Sequence, residues 1–199
     1  MQVAIVKYNA GNIYSVLHAL RRVGAEPVLT DDAEVIRRAD RVVFPGQGEA
    51  ATTIASLRRL GLDRLIPTLT QPVLGICIGQ QLMCASSEEG GGTECLGIFP
   101  DSRVRRFVPR TTDDKIPHMG WNTVRAAQSP LFEGVGDGTY FYFIHSYYVP
   151  ACAEAIAVAD YSGTPFAAAM RRGNFFATQF HPEKSGAAGE RLLRNFLNL

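Results

Sequence analysis

Three short segments of the 199-residue chain carry side chains and backbone suited to acyl-transfer chemistry. The first is Gly75-Ile76-Cys77-Ile78-Gly79, which follows an apolar stretch and precedes Gln80-Gln81-Leu82-Met83. It has the form of a nucleophile elbow with a thiol in place of the serine hydroxyl. In such an elbow a tight strand-to-helix turn holds the nucleophile in a strained conformation, and side chains on the flanking residues would clash. A helix beginning just after Cys77 would point its positive end at the sulfur and favour the thiolate. Taken alone, a cysteine between glycines is also an ordinary buried residue of a βα turn. The second segment is Gln179-Phe180-His181-Pro182-Glu183, closing the apolar run 174–180. In extended chain, residues two apart share a face, so His181 and Glu183 are expected to point the same way. Pro182, with no N–H to give a ladder, suits a strand end. His181 could take or give a proton at Cys77, while Glu183 orients the imidazole and stabilises its charged form. Seen alone, the pair reads equally as a surface histidine beside a surface acid. The third is Pro45-Gly46-Gln47-Gly48, where glycines let backbone N–H groups approach a ligand. With the N–H of Ile78 they could stabilise a tetrahedral oxyanion. The bland alternative is a simple turn.

The elements needed to bring these segments together can be read from hydrophobic periodicity. Strands are expected at Gln2–Val6, 26–29, Arg41–Phe44 and 73–77. Between them lie helical patterns: Ile13, Val16, Leu17, Leu20 and Val23 stopped at Gly24, a short helix capped by Thr30 or Asp31 and running to Arg38, and Ala50–Leu60. Short apolar strands alternating with helices predict an α/β fold with an open, mostly parallel sheet covered on both faces. After about residue 90 the pattern changes to strands at 103–108, 121–124, 140–144, 155–159, 166–170 and 174–180, a mixed or antiparallel extension. The run Tyr140-Phe141-Tyr142-Phe143 reads as a strand buried on both sides, residues 88–93 as a flexible loop, and Leu192, Leu193, Phe196 and Leu197 as one face of a last helix. Cys84 is expected to be a small core residue inside the helix that follows the elbow. In an open α/β sheet the carboxyl ends of the strands converge on one crevice, so Pro45, Cys77 and His181 should meet there.

Composition narrows the classes further. A formal net charge of +1 gives no field to hold nucleic acid or an anionic membrane. The start of the chain has no signal-peptide pattern and no apolar run approaches a membrane span, which predicts a cytoplasmic protein. The cysteines, Cys77, Cys84, Cys95 and Cys152, form no C-x-x-C pair and have no histidines at zinc spacing. Neither a metal nor a cofactor is expected, and a single reactive thiol among buried ones is.

The elbow Gly75-Ile76-Cys77-Ile78-Gly79-Gln80-Gln81 with the distant His181-Pro182-Glu183 resembles the class I, or triad, glutamine amidotransferases. Gly11-Asn12-Ile13-Tyr14-Ser15-Val16, Pro117-His118-Met119-Gly120-Trp121-Asn122 and Ile144-His145-Ser146-Tyr147 narrow the likeness to one branch, the glutaminase subunits of imidazole glycerol phosphate synthases. The segment ending in Trp121-Asn122 is the most discriminating, since relatives serving anthranilate, GMP or carbamoyl phosphate synthesis differ there. The likeness spans essentially residues 1–199, as one amidotransferase domain. It implies hydrolysis of L-glutamine to glutamate and ammonia through a Cys77, His181 and Glu183 triad, with Gln47 and Ile78 at the oxyanion hole. It implies substrate contacts from Gly46, Gly48, Gln81, Glu89 and the backbone of Ser146 and Tyr147. It also implies a (β/α)₈-barrel cyclase as partner in a heterodimer, contacted near Asn12, Trp121 and Asn122, which receives the ammonia and on which activity depends. The chain departs from the common pattern at Gln47, where valine is frequent. It departs again at 100–104, where a Pro-Gly turn is more usual, and at Gly186, where serine is.

Overall fold

The computed structural model describes residues 1–8, 13–46, 48–126 and 128–199. The expected contacts at Asn12 and Gln47 lie outside the described residues. In chain order the first half runs β1 (Gln2–Val6), α1 (Ile13–Arg22), β2 (Glu26–Thr30), α2 (Ala33–Arg38), β3 (Arg41–Phe44), α3 (Ala50–Leu60), α4 (Leu62–Leu65), β4 (Val73–Ile76) and α5 (Ile78–Leu82). The second half runs β5 (Cys84–Ser87), β6 (Thr93–Glu94), β7 (Phe99–Arg106), β8 (His118–Ala126), β9 (Thr139–His145), β10 (Tyr147–Tyr148), β11 (Ala155–Tyr161), β12 (Thr164–Arg172), β13 (Phe175–Thr178) and α6 (Gly186–Leu197).

Nine strands form one sheet in the order β2-β1-β3-β4-β13-β12-β11-β8-β9. The stretch from β2 to β13 is parallel, and from β13 onward each neighbour is antiparallel. Strand alternation divides the core. Val3, Ile5, Val43, Leu74, Ile76 and Phe176 face the helices α1 and α6. Ala4, Val6, Val42, Phe44, Val73, Phe175 and Ala177 face α2, α3 and α5. Period-2 alternation of apolar residues on both faces is what a sheet with two helical layers requires.

Several expectations need correction. The cap of α2 is Asp32, whose Oδ1 accepts from the N–H groups of Glu34 and Val35; Thr30 instead accepts from the N–H of Asp32. The helix after the elbow has five residues, and Cys84 already belongs to β5, buried as expected. A four-stranded sheet, β10-β7-β5-β6, lies beyond what the periodicity predicts; β5, β6 and β10 are only two to four residues long, and β7 lacks strict alternation. Residues 100–104 make no turn but sit within β7. They are taken up by a register shift in which Cys84 pairs with Phe99 and Ser86 with Arg103. Residues 88–93 are not a free loop: Glu89–Gly91 form a 3₁₀ turn, and Glu89 Oε2 caps α3 by accepting from the N–H of Ala50 at 2.7 Å. The aromatic strand β9 is the sheet's edge and is buried on one face only. Phe141 and Phe143 point inward, while Tyr140 is 59% exposed.

Candidate active site

The strands β3, β4 and β13 are parallel neighbours, so their carboxyl ends lie side by side. Pro45, Cys77 and residues 179–183 follow those ends, and the predicted convergence is present. Cys77 has φ 54° and ψ −110°, a left-handed strain unusual for a side-chain-bearing residue and typical of a nucleophile at a sharp turn. Glycines make the turn possible. A Cβ on Gly79 would lie 2.2 Å from the Phe44 carbonyl oxygen, and one on Gly46 would lie 2.0 Å from Ile78 Cγ2 and 2.5 Å from the Gly79 N. The 44–46 backbone is thus pressed directly against the elbow. Gly79→Ala must push two backbones apart, and we expect it to cost about 3 kcal/mol of stability, read from the urea midpoint.

Cys77 is 9% exposed, and its sulfur lies 3.8 Å from the Ile144 carbonyl oxygen, which can accept a hydrogen bond from the thiol, and 3.7 Å from Gln179 Nε2, which donates to it. His181 Nδ1 meets Glu183 Oε1 at 2.7 Å, both side chains buried. They meet for a different reason than expected. The strand ends at Thr178, and Glu183 comes round in a 3₁₀ turn at Pro182–Lys184 rather than in extended chain. The His181 backbone is fixed on both sides: its N–H donates to the Tyr142 carbonyl, and its carbonyl accepts from Ser185 Oγ, which in turn accepts from the Tyr142 N–H. Phe180 stacks on Phe141 with centroids 4.1 Å apart. His181 Nε2 has no hydrogen-bond partner among the described residues, and Cys77 is close enough to govern its charge. Burial works against the imidazolium, but the Cys77 thiolate and the Glu183 carboxylate outweigh it and raise the pKa of His181 to about 10. Burial pushes the Cys84 thiol well up and the Cys95 thiol up to about 11, so both stay protonated at neutral pH.

A cavity of about 280 Å³ opens beside the sulfur, lined by Gly48, Cys77, Ile78, Gln81, Glu89 and Tyr147 among others. Ile78 is the first residue of α5, so its N–H has no acceptor within the helix and is available to an oxyanion. Of the residues expected around substrate, Gly48, Gln81, Glu89, Ser146 and Tyr147 line the cavity, whereas Gly46 packs on the elbow instead. Part of their polar capacity is already used. Tyr147 O accepts from both Gln81 Nε2 and His145 Nδ1, and Glu89 Oε2 serves α3. Burial raises the pKa of Glu89, with the Ala50 N–H opposing.

Trp121 lies on the outward face of the β8–β9 edge, 56% exposed, with Met119, Tyr140 and Ile144 exposed on the same face. Asn122 turns inward, its Nδ2 donating to the Asp160 carbonyl at 2.8 Å. Sequence reasoning missed Gln179 and Tyr8. Gln179, two residues before His181, reads from the sequence as part of the strand over 174–180. Tyr8, buried, donates its hydroxyl to the Pro45 carbonyl and so anchors the backbone just after β3. Nothing in its local sequence marked it. Among the described residues no cluster suits a metal ion, and no helix is long and apolar enough to cross a membrane.

Comparison with known proteins agrees with this geometry. The family profile of glutamine amidotransferase class-I matches residues 4–199. Proteins named imidazole glycerol phosphate synthase subunit HisH are similar over the whole chain. Those of Bacteroides fragilis (strain YCH46) and Bacteroides thetaiotaomicron are 57% and 58% identical, each covering 100% of both chains. That of Yersinia pseudotuberculosis is 46% identical, again with 100% of both chains covered. Among solved structures, a glutamine amidotransferase superposes with a TM-score of 0.73 at 22% identity, covering 98% of this chain and 97% of that one. A glutamine amidotransferase from Thermotoga maritima gives 0.64 at 16%, covering 96% and 80%. At those identities the two structures speak for the fold.

Proposed function

Because the chain belongs to the class-I glutamine amidotransferases, we propose that residues 1–199 form one amidotransferase domain, the glutamine-hydrolysing subunit of an imidazole glycerol phosphate synthase. The observation that carries the chemistry is a buried His181–Glu183 pair at 2.7 Å beside Cys77 at the mouth of a substrate-sized cavity. The full-length identity to the HisH proteins carries the pathway.

The chemistry follows from the site. The Cys77 thiolate attacks the side-chain carbonyl carbon of glutamine, and the resulting oxyanion takes the N–H of Ile78, with the 46–48 backbone as second donor. The His181 imidazolium gives its proton to the departing nitrogen, ammonia leaves, and a glutamyl thioester remains on Cys77. Neutral His181 then draws a proton from water, which attacks the thioester. Glutamate leaves, and the thiolate and imidazolium are restored. Glu183 holds the ring throughout by accepting from Nδ1–H.

The ammonia is passed to a (β/α)₈-barrel cyclase that makes imidazole glycerol phosphate and aminoimidazole carboxamide ribotide in histidine biosynthesis. We place the cyclase on the apolar face of Met119, Trp121, Tyr140 and Ile144, because it is an exposed hydrophobic patch and the Ile144 carbonyl on its inner side touches the Cys77 sulfur. Free thiols suit the cytoplasm as the working compartment. The test is glutamine turnover with and without the cyclase. Mixing should raise turnover by about 100-fold or more, a coupling of about 3 kcal/mol. Trp121→Ala should weaken the complex by about tenfold or more, as loss of an aromatic anchor does. No rise on mixing would assign the glutaminase to a different synthase. Ester turnover without glutaminase activity would make it a general thiol hydrolase.

A further inference from the structure

The amide of Gln179 is fully buried, and its Nε2 lies 3.7 Å from the Cys77 sulfur. Which end of that amide faces the sulfur is decided by a chain of bonds in which each partner has one possible role. The Tyr147 carbonyl can only accept, so Gln81 must present its NH₂ to it, at 2.8 Å. The same NH₂ meets Gln179 at 2.9 Å, so Gln179 must offer its oxygen there and its own NH₂ to the sulfur. Turning Gln179 over would set two donors against each other.

The carbonyl of Tyr147 is itself held from the other side. His145 Nδ1 donates to it at 2.8 Å, which leaves His145 Nε2 as an acceptor for His118 Nδ1 at 3.0 Å. His118 Nε2 then accepts from Asn122 Nδ2 at 3.4 Å, an amide already fixed by the Asp160 carbonyl and the Thr123 N–H. Desolvation keeps both rings neutral, holding His118 down at about 4 and His145 at about 3, as this arrangement of donors requires.

We propose that Gln179 is a further catalytic residue of the amidotransferase site, donating a hydrogen bond that stabilises the Cys77 thiolate, and that the chain from Asn122 through His118, His145, Tyr147 and Gln81 locks it in that orientation. The proposal rests on Cys77 being the nucleophile. It gives the thiolate a neutral donor both before attack on glutamine and again when water expels glutamate and the sulfur regains its charge. It also ties the sulfur's surroundings to β8, the strand that carries Trp121 on its outer face. Among the described residues the titratable groups facing the sulfur are His181, with Glu183 behind it, and Tyr8; His145, Tyr147 and Glu89 line the cavity beside it.

The experiment is alkylation of the full chain by iodoacetamide across pH, with the modified residue identified by mass and the thiolate followed by its ultraviolet absorbance. Gln179→Leu should move the Cys77 midpoint up by about one pH unit, slowing alkylation about tenfold at pH values below both midpoints. Gln179→Glu, placing a carboxylate beside the sulfur, should move it further in the same direction. A purely packing role would lower the melting temperature and leave the midpoint where it was, and that result overturns the proposal. Should the variants not fold, the unsubstituted chain still decides: with ¹⁵N-labelled glutamine, the Gln179 side-chain amide signals should shift as Cys77 titrates and again on its alkylation. Signals that stay fixed overturn it. A Cys77 that is inert in the unsubstituted chain overturns the triad itself, an outcome distinct from an unchanged midpoint.

Discussion

Cys77→Ala is expected to abolish glutamine hydrolysis, by about 10⁴-fold or more, while the complex with the cyclase still makes its products when ammonium salt is supplied. The size of the effect follows from what the residue does. Without the sulfur there is no thioester, and His181, whose Nε2 has no other partner among the described residues, has nothing to exchange protons with. The oxyanion donors and the cavity remain, so glutamine should still bind. The fold should also survive, because alanine bears φ 54° no worse than cysteine does and the surrounding glycines are untouched. Glutamine turnover and ammonia-dependent synthesis, measured on one preparation, separate loss of chemistry from loss of structure. Near-normal hydrolysis by this variant would remove Cys77 from the mechanism.

His181→Ala should lower hydrolysis by about 10³-fold, since one group supplies both the acid for the leaving nitrogen and the base for the incoming water. The unsubstituted enzyme should show the same dependence through pH. The pKa of His181 rises on folding, from 6.5 to about 10. The imidazolium is therefore present at neutral pH and lost above about 10, where release of ammonia should slow about tenfold per unit. The sign for stability agrees. The contribution of the charged pair is complete below 6.5 and disappears as pH rises through about 10. An alkaline limb that sets in near neutrality would contradict this, as would a His181→Ala variant with near-normal turnover.

Much of this was legible in the chain because the relevant signals are short and local. Unbroken apolar runs at Val3 through Val6 and at Val42 through Phe44 mark strands buried on both faces, and Gly75, Cys77 and Gly79 mark the elbow by steric need. Position in the sheet then follows from topology, so Pro45, Cys77 and His181 converge. What escaped was long-range. Gln179 becomes a site residue only because Gln81, 98 positions earlier, turns it toward the sulfur. Tyr8 matters through a carbonyl 37 positions away. The edge placement of β9 could not be read from Tyr140-Phe141-Tyr142-Phe143, because four aromatics in a row hide the alternation that distinguishes an outer strand from a central one. The four-stranded sheet escaped for a similar reason: Cys84–Ser87 and Tyr147–Tyr148 are too short to carry a pattern.

The place of β13 bears on how the protein is made. The last strand synthesised is inserted between β4 and β12, beside the elbow, and brings the histidine and the acid with it. Until about residue 183 has left the ribosome, β4 has a bare edge and the cysteine has no base. On the proposed triad, a nascent or prematurely terminated chain would release no free ammonia into the cell, and because its sheet is split, it also presents the open hydrogen-bonding edge that chaperones and proteases recognise.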